Sequence, residues 1–199
     1  MKKKLLLAFG LLFFITAYSF AQETSVLEYF PCKNGNIWTY AGRTGVKSDI
    51  YILRNSMPDP NNSGTSVYLV EEQMPGLGGS TATLYGIRNN RVVILTTRNI
   101  MGVYSEKKPP LFILALPGQE WSYNDRGDDL RYKTSAASCN VDNTAYNDCI
   151  LVEERIVDGN TTLRTKKSYY ARGVGLVLVT LQSRGEAEAV FMKLIDSSL

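Results

Sequence analysis

Short runs of apolar or alternating residues, each closed by a turn, recur along the chain, and that pattern predicts strands. Lys47 to Asn55 alternates, with Ile50 and Ile52 on one side and Tyr51 and Leu53 on the other. Further strands are predicted over Ser66–Met74, Thr81–Arg88 and Arg91–Thr97. Asn89-Asn90 between the last two reads as a hairpin turn, because Asn tolerates positive φ. A turn at Phe30–Asn36 leads into a strand through Ile37-Trp38-Thr39-Tyr40. Glu23–Glu28 reads as an ordered extension or edge strand, Pro58–Gly64 as a loop and Pro109–Leu116 as a connector. Near the end, Ser168-Tyr169-Tyr170-Ala171 runs through Arg172-Gly173-Val174-Gly175 into Leu176–Leu181, two strands and a tight turn. Glu186–Asp196 has a helical composition. It follows a strand and Arg184-Gly185 directly, however, so the return arm of a hairpin is the preferred reading. The predicted class is all-β and mainly antiparallel.

Two runs break the alternation. Val92-Val93-Ile94-Leu95 and Leu176-Val177-Leu178-Val179 are apolar at every position. A strand with one wet face alternates, so both faces should be covered here, by a facing half of the sheet, by the Pro109–Leu116 connector or by a ligand. These runs also belong to an internal match. Gly-Asn-Ile-Trp38-Thr-Tyr40 resembles Gly-Gln-Glu-Trp121-Ser-Tyr123, and Val70-Glu71-Glu72 matches Val152-Glu153-Glu154. Tyr85-Gly86-Ile87-Arg88 resembles Tyr169-Tyr170-Ala171-Arg172, and Val92–Thr96 matches Leu176–Thr180. The order is the same throughout and the offset nearly constant. The reading is two tandem repeats of about five strands, residues 31–106 and 117–196. They form a single β domain over 22–199, built as a twisted sheet or half-barrel, since two units are too few for an open solenoid.

The first 21 residues stand apart. Lys2-Lys3-Lys4, an apolar stretch from Leu5 to Ala17 and Ser19-Phe20-Ala21 have the make-up of a secretory signal peptide cut before Gln22. No Cys lies at the cleavage point and the first is Cys32, so a lipoprotein is not expected. The expected location is periplasmic or extracellular, with no transmembrane span in the mature chain. The leader also carries the charge imbalance. The chain has 22 Lys+Arg against 19 Asp+Glu, and the leader takes three lysines, leaving 19 of each. A basic surface for nucleic acid is therefore not indicated.

Histidine is absent. That removes Ser-His-Asp and Cys-His catalysis and most zinc or copper sites. Cys32, Cys139 and Cys149 lack the spacing of a metal knuckle. Cys139 and Cys149 flank a nine-residue stretch and would face each other in a hairpin, giving either a disulfide or two separate buried thiols; Cys32 is buried or open to a partner. Neighbouring carboxylates on a strand point to opposite faces. Hence at most one of Glu71-Glu72 and one of Glu153-Glu154 could serve any site, and pairing with Lys or Arg on the next strand is the plainer role. No enzyme and no cofactor are expected.

Aromatic residues remain. Trp38, Tyr40, Trp121, Tyr123, Tyr169 and Tyr170 sit within the matched motifs. They fit ordinary sheet core, or the wall of a pocket for an apolar or glycan-like ligand. The stretch Tyr169-Tyr170-Ala171-Arg172-Gly173-Val174-Gly175-Leu176-Val177 resembles a signature of exported bacterial β-rich proteins of unknown function, with Arg172 where Pro or another residue is common. Pro31 to Tyr40 is similar to their N-terminal motif, and Asn147–Glu154 to the strand before the signature. The resemblance implies a twisted antiparallel half-barrel in or outside the cell envelope and brings no catalytic residues. Three functions follow as expectations. The first is a non-catalytic domain binding an apolar molecule or envelope component; the alternative is a structural or protein-interaction module of the cell envelope, and a carboxylate-based hydrolase stands behind both.

Overall fold

The structure is a computed structural model that describes residues 24–33, 35–43, 47–52, 57–59, 62–74, 79–99, 101–125 and 127–199. The signal peptide read at residues 1–21 lies outside them. In chain order the strands are β1 Ile37–Gly42, β2 Lys47–Ile52, β3 Met57–Asp59, β4 Asn62–Met74, β5 Gly79–Arg88, β6 Arg91–Arg98, β7 Tyr104–Ala115, β8 Glu120–Asp125, β9 Asp128–Val141, β10 Thr144–Asp158, β11 Thr161–Ala171, β12 Gly175–Ser183 and β13 Ala189–Ser198. Every ladder is antiparallel. The sheet runs β7-β6-β5-β4-β2-β1-β13-β12-β11-β10-β9-β8, with β3 beside β4. The first and last strands thus meet in the middle, where Ile37 lies opposite Ser198. The sheet does not close into a barrel.

The strand reading of the C-terminus holds, and Asn89 and Asn90 both take positive φ, 49° and 55°, as a two-residue hairpin needs. Pro109–Leu116 is not a connector: most of it belongs to β7. Proline survives there because β7 ends the sheet and needs partners on one side only. The ladder to β6 also passes from Ile94–Leu111 to Thr96–Glu106, leaving residues 107–110 out of register. Ahead of β1, the chain makes a single 3-10 turn at Val26–Glu28. The Leu27 N–H donates to the Ser25 hydroxyl and the Ser25 N–H donates to the Glu28 carboxylate, a capping box.

Two apolar clusters hold the sheet together. In the first, Val92 and Leu114 from β6 and β7 meet Leu130, Tyr132, Ile150, Val152 and Tyr170 from β9 to β11. The two halves of the sheet therefore fold onto each other. Each fully buried aliphatic side chain contributes about 1.5–3 kcal/mol. In the second, the far end of the β9–β10 hairpin, with Val141 and Cys149, comes against Ala171 and Val177 of β11 and β12. Of the all-apolar Leu176–Val179 run, Leu176, Val177 and Leu178 pack within these two clusters.

Candidate binding cavity

Between the folded halves lies a cavity of about 120 Å³. Its aromatic wall is Phe30, Trp38, Tyr40, Tyr85 and Tyr170, joined by Leu176. Glu72, Thr81 and Thr83 line it as well. A second space of about 180 Å³ shares Tyr85, Ile113 and Tyr170 with the first and adds Tyr132, Val152, Glu154, Lys166 and Ser168. The two tyrosines thus stand between two chambers of one interior.

Strand register explains how the tyrosines arrive there. The β5–β6 ladder passes from Leu84–Thr96 to Tyr85–Ile94, and the β11–β12 ladder from Tyr169–Leu178 to Tyr170–Leu176. Each is a bulge that passes over one residue of the second strand, Leu95 or Val177, and bulges re-aim side chains. On β5 the cavity residues Thr81, Thr83 and Tyr85 follow the two-residue strand period. Trp38 and Tyr40 do the same on β1. Their polar atoms are already committed: Trp38 Nε1 donates to the Val174 carbonyl at 2.6 Å and the Tyr40 hydroxyl to the Leu176 carbonyl at 2.8 Å. Both rings are thereby fixed. At the turn into β12, a Cβ on Gly175 would lie 3.5 Å from Pro31 and from the Trp38 indole, and its φ of +100° suits glycine.

The segment before β1 forms the rim. Val26 is fully buried, and its N–H donates to Asn90 Oδ1 at 2.8 Å while Asn90 Nδ2 donates to the Thr24 carbonyl. The Tyr29 hydroxyl donates to Asp148 at 2.7 Å, and Arg172 bridges Glu28 and Asp148 at 2.7 and 3.1 Å. The segment is pinned to both the β5–β6 and the β11–β12 turns, and it delivers Phe30, Pro31 and Cys32 to the cavity wall. Burial pushes the Cys32 thiol up to about 12. It is therefore a neutral thiol at ordinary pH and a poor nucleophile. Burial likewise pushes Tyr85 up to about 12, against a hydrogen bond from Thr83 that lowers it, and raises Tyr40 and Tyr170 as well. These phenols stay neutral.

Of the six aromatic residues expected at a site, Trp38, Tyr40 and Tyr170 come together here. Tyr169 points away from its neighbour and packs partly buried in the second cluster with Cys139 and Tyr146. Trp121 is stacked on Tyr132, centroids 5.1 Å apart, and its Nε1 donates to the Phe112 carbonyl. Tyr123 lies partly buried against the first cluster. Phe30 and Tyr85 were not expected at the site, and Glu72 was named only as one of the paired carboxylates; the internal match, which already held Tyr85, was the signal that could have found it. Cys139 and Cys149 do face each other, with sulfurs 3.8 Å apart and both thiols free.

Among the described residues no group of three or more Cys, Asp or Glu is placed to hold a metal ion. No helix among them is long and apolar enough to cross a membrane. Against known proteins, the chain is similar in fold to the crystal structure of a candidate lipoprotein from Parabacteroides distasonis. That likeness has a TM-score of 0.53 at 13% identity and covers 85% of this chain and 98% of that one. A candidate exported protein with a YmcC-like fold from Bacteroides fragilis aligns over 84% of this chain and 97% of its own, at 10% identity and a TM-score of 0.47. At such identities the first likeness speaks for the fold alone. No protein-family model matches the chain, and no curated protein sequence matches it.

The carboxylates divide as strand geometry requires. Glu72 and Glu154 face the interior chambers, while Glu153 pairs with Arg155 at 2.5 Å and Glu71 lies 4.0 Å from Arg98. Glu154 meets Lys166 on the next strand at 3.3 Å. One carboxylate, Glu72, lines the first cavity among its described residues.

Proposed function

We propose that the chain is an exported, non-catalytic β domain that holds an apolar molecule, or the apolar part of an envelope component, between its folded halves. The observation that carries this reading is the aromatic wall of Phe30, Trp38, Tyr40, Tyr85 and Tyr170 around open space. Sites for small ligands are concave and mostly apolar, with few polar groups. The volume suits a small ligand or a segment of a larger one: a cavity of about 150 Å³ takes benzene. A glycosidase needs two carboxylates flanking its cleft, and Glu72 alone serves the cavity among its described residues.

Export through the leader at residues 1–21, cleavage before Gln22, the absence of a lipid anchor and a Cys139–Cys149 disulfide belong to the same reading. So does a tandem origin of the halves. It is supported by bulges at matching places before Tyr85 and Tyr170, six strands after Pro117, and six plus the short β3 before it. An interaction role is the second reading. It is favoured by the two sheet ends, β7 and β8, staying unpaired with each other.

Native mass spectrometry of the mature protein from its own envelope fraction, beside a denatured intact mass, tests the reading. A discrete extra mass that disappears on denaturation is expected. A bare mass in every preparation would shift the assignment to the interaction role, and a two-proton deficit on denaturation would report one disulfide.

A further inference from the structure

The outer face of β10, β11 and β12 carries a groove unlike the interior chambers. Glu154, Lys166, Ser168 and Tyr170 line a chamber inside. Successive residues on a strand point to opposite faces, so Glu153, Arg155, Thr165 and Lys167 belong to the outer one. There they border a groove of about 390 Å³. A bulge helps to build it. The β10–β11 ladder passes from Ile156–Arg164 to Val157–Thr162 and skips Leu163. Neighbours on a regular strand alternate between faces, yet Thr162, Leu163, Arg164 and Thr165 all border this one groove, as re-aiming by a bulge allows. Beyond the end of β12, Arg184 and Gly185 border it too. The Arg184 N–H donates to the Leu163 carbonyl at 2.9 Å and ties the two strand ends together.

Charge sets the groove apart. Arg155, Arg164, Lys167 and Arg184 border it, against one carboxylate, Glu153. Glu153 pairs with Arg155 at 2.5 Å, and Glu188 reaches in to Lys167 at 2.6 Å. Arg164 and Arg184 are exposed, and neither pairs with a carboxylate among the described residues. Four cations thus meet two carboxylates, and two positive charges remain. The sheet itself does not require them. On β4–β5, Glu71 faces Ala82, Gln73 faces Ser80 and Met74 faces Gly79. On β10–β11, Glu153 faces Lys167, Arg155 faces Thr165 and Ile156 faces Arg164. Laid over each other by register, the halves set Gln73, Ala82 and Gly79 where the groove has Arg155, Lys167 and Arg164. On the inner face the same overlay sets Glu72–Thr81 beside Glu154–Lys166. The ladder therefore forms at this place without a cation.

We propose that the groove binds a phosphorylated head of sugar size, a phosphomonoester on a small polar body. Arg164 and Arg184 take the phosphoryl oxygens. A phosphomonoester carries about −1.5 to −2 charges near neutral pH, which matches the surplus in the groove; a carboxylate would offset only half of it. Guanidinium forks fit phosphate oxygens two at a time, and such charge-assisted bonds are stronger than neutral ones. The hydroxyls of Thr162, Thr165 and Ser183 on the wall supply further donors. The volume falls within the roughly 300–1,000 Å³ of small-ligand sites, so a body beyond the phosphate is accommodated. The groove lies on the other face of the sheet from the interior cavity and stands independently of it.

The test is calorimetric titration of the mature protein, residues 22–199, with glucose 1-phosphate and with glucose at low ionic strength. Glucose 1-phosphate is expected to bind at least about tenfold more tightly than glucose, and added salt to weaken it. Arg164→Gln and Arg184→Gln together are expected to remove that preference while keeping the parent's melting temperature. Arg43→Gln, which removes one exposed charge beyond the end of β1, is expected to leave binding unchanged. Pelleting with vesicles of phosphatidylcholine, with and without phosphatidic acid, separates the two sources of the phosphate. Binding of glucose 1-phosphate without pelleting assigns a soluble sugar phosphate. Pelleting that needs phosphatidic acid and is lost in the double variant assigns a lipid-borne one. The proposal is overturned if neither glucose 1-phosphate nor phosphatidic acid vesicles bind, or if glucose binds as tightly as its phosphate. It is overturned equally if the double variant binds like the parent, or if Arg43→Gln loses as much as the double variant does. None of these results bears on the interior cavity.

Discussion

Trp38 and Trp121 begin from nearly the same local sequence and end in different surroundings. Trp38 is 7% exposed, walls the cavity and donates to the β11–β12 turn. Trp121 is half-buried, stacked on Tyr132, and its indole N–H caps a carbonyl of β7. The strands that carry them explain the divergence. β1 is flanked by β2 and β13, whereas β8 has β9 alone. A residue on an inner strand is enclosed by neighbours on both sides; the same residue on an edge strand must find cover elsewhere. Trp121 finds it across the one gap in the sheet, and in doing so covers part of the exposed edge of β7.

The largest expected effect tests that contrast directly. Trp38→Ala is expected to cost about 3–5 kcal/mol in urea unfolding, and Trp121→Ala roughly 1–3 kcal/mol because less of its ring leaves water. Equal losses would break the comparison. Next come the thiols, one on the rim and two in the second half. Burial pushes Cys149 up to about 12 and also raises Cys139. Their pairing therefore needs an exported thiol oxidant or alkaline conditions. Once formed, the bridge is expected to add roughly 2–3 kcal/mol, read as a fall in melting temperature with reductant. Cys32→Ser should leave that fall intact; a fall that vanished with it would reassign the pairing.

A smaller effect is expected at the matched carboxylates. Lys166→Met strands Glu154, whose side chain is 15% exposed, but the lysine is 39% exposed and solvent screens the loss. About 1 kcal/mol is expected after that discount, whereas Thr81→Ala should change stability by no more than about 0.5 kcal/mol. The smallest effect concerns Glu188, which accepts from Lys167 and Thr180 at 2.6 Å each. Those two hydrogen bonds hold its carboxyl below the usual range. A depressed folded-state value gives stability that is present above the unfolded value of about 4.3 and disappears as the pH falls through the folded one. Glu188→Gln should lower stability slightly at neutral pH, where the charged carboxylate contributes, and flatten the acid limb of the stability profile.

Much of this was legible in the pattern of residues. Alternation and turn chemistry located β1, β5, β6, β11 and β12, and Asn89-Asn90 marked a hairpin on conformational grounds alone. β7 was not legible, because two adjacent prolines ordinarily argue against a strand and only its place at the end of the sheet admits them. Half the site was legible through Trp38, Tyr40 and Tyr170. The internal match set Tyr85 against Tyr169, but it is Tyr170 that lines the cavity with Tyr85. A slip of one residue turns a side chain to the other face of a sheet, and here it separates the cavity from the thiol pair. Phe30 was hidden, and Glu72 could not be told from Glu71, because their importance depends on what lies across the fold, which no local spacing records.

The meeting of β1 and β13 has a consequence for how the molecule reaches its shape. The ladder at the centre of the sheet joins Ile37 to Ser198, nearly the whole chain apart. Every other ladder joins strands close in sequence, and non-local pairings slow folding because a long loop must close first. The middle of the sheet is thus the last part to be zipped. A circular permutant that links the present ends and opens at Pro117-Gly118 would turn that ladder into a local hairpin. Its refolding in stopped-flow experiments is expected to be faster than the parent's, and equal rates would mean that the central ladder is not the slow step.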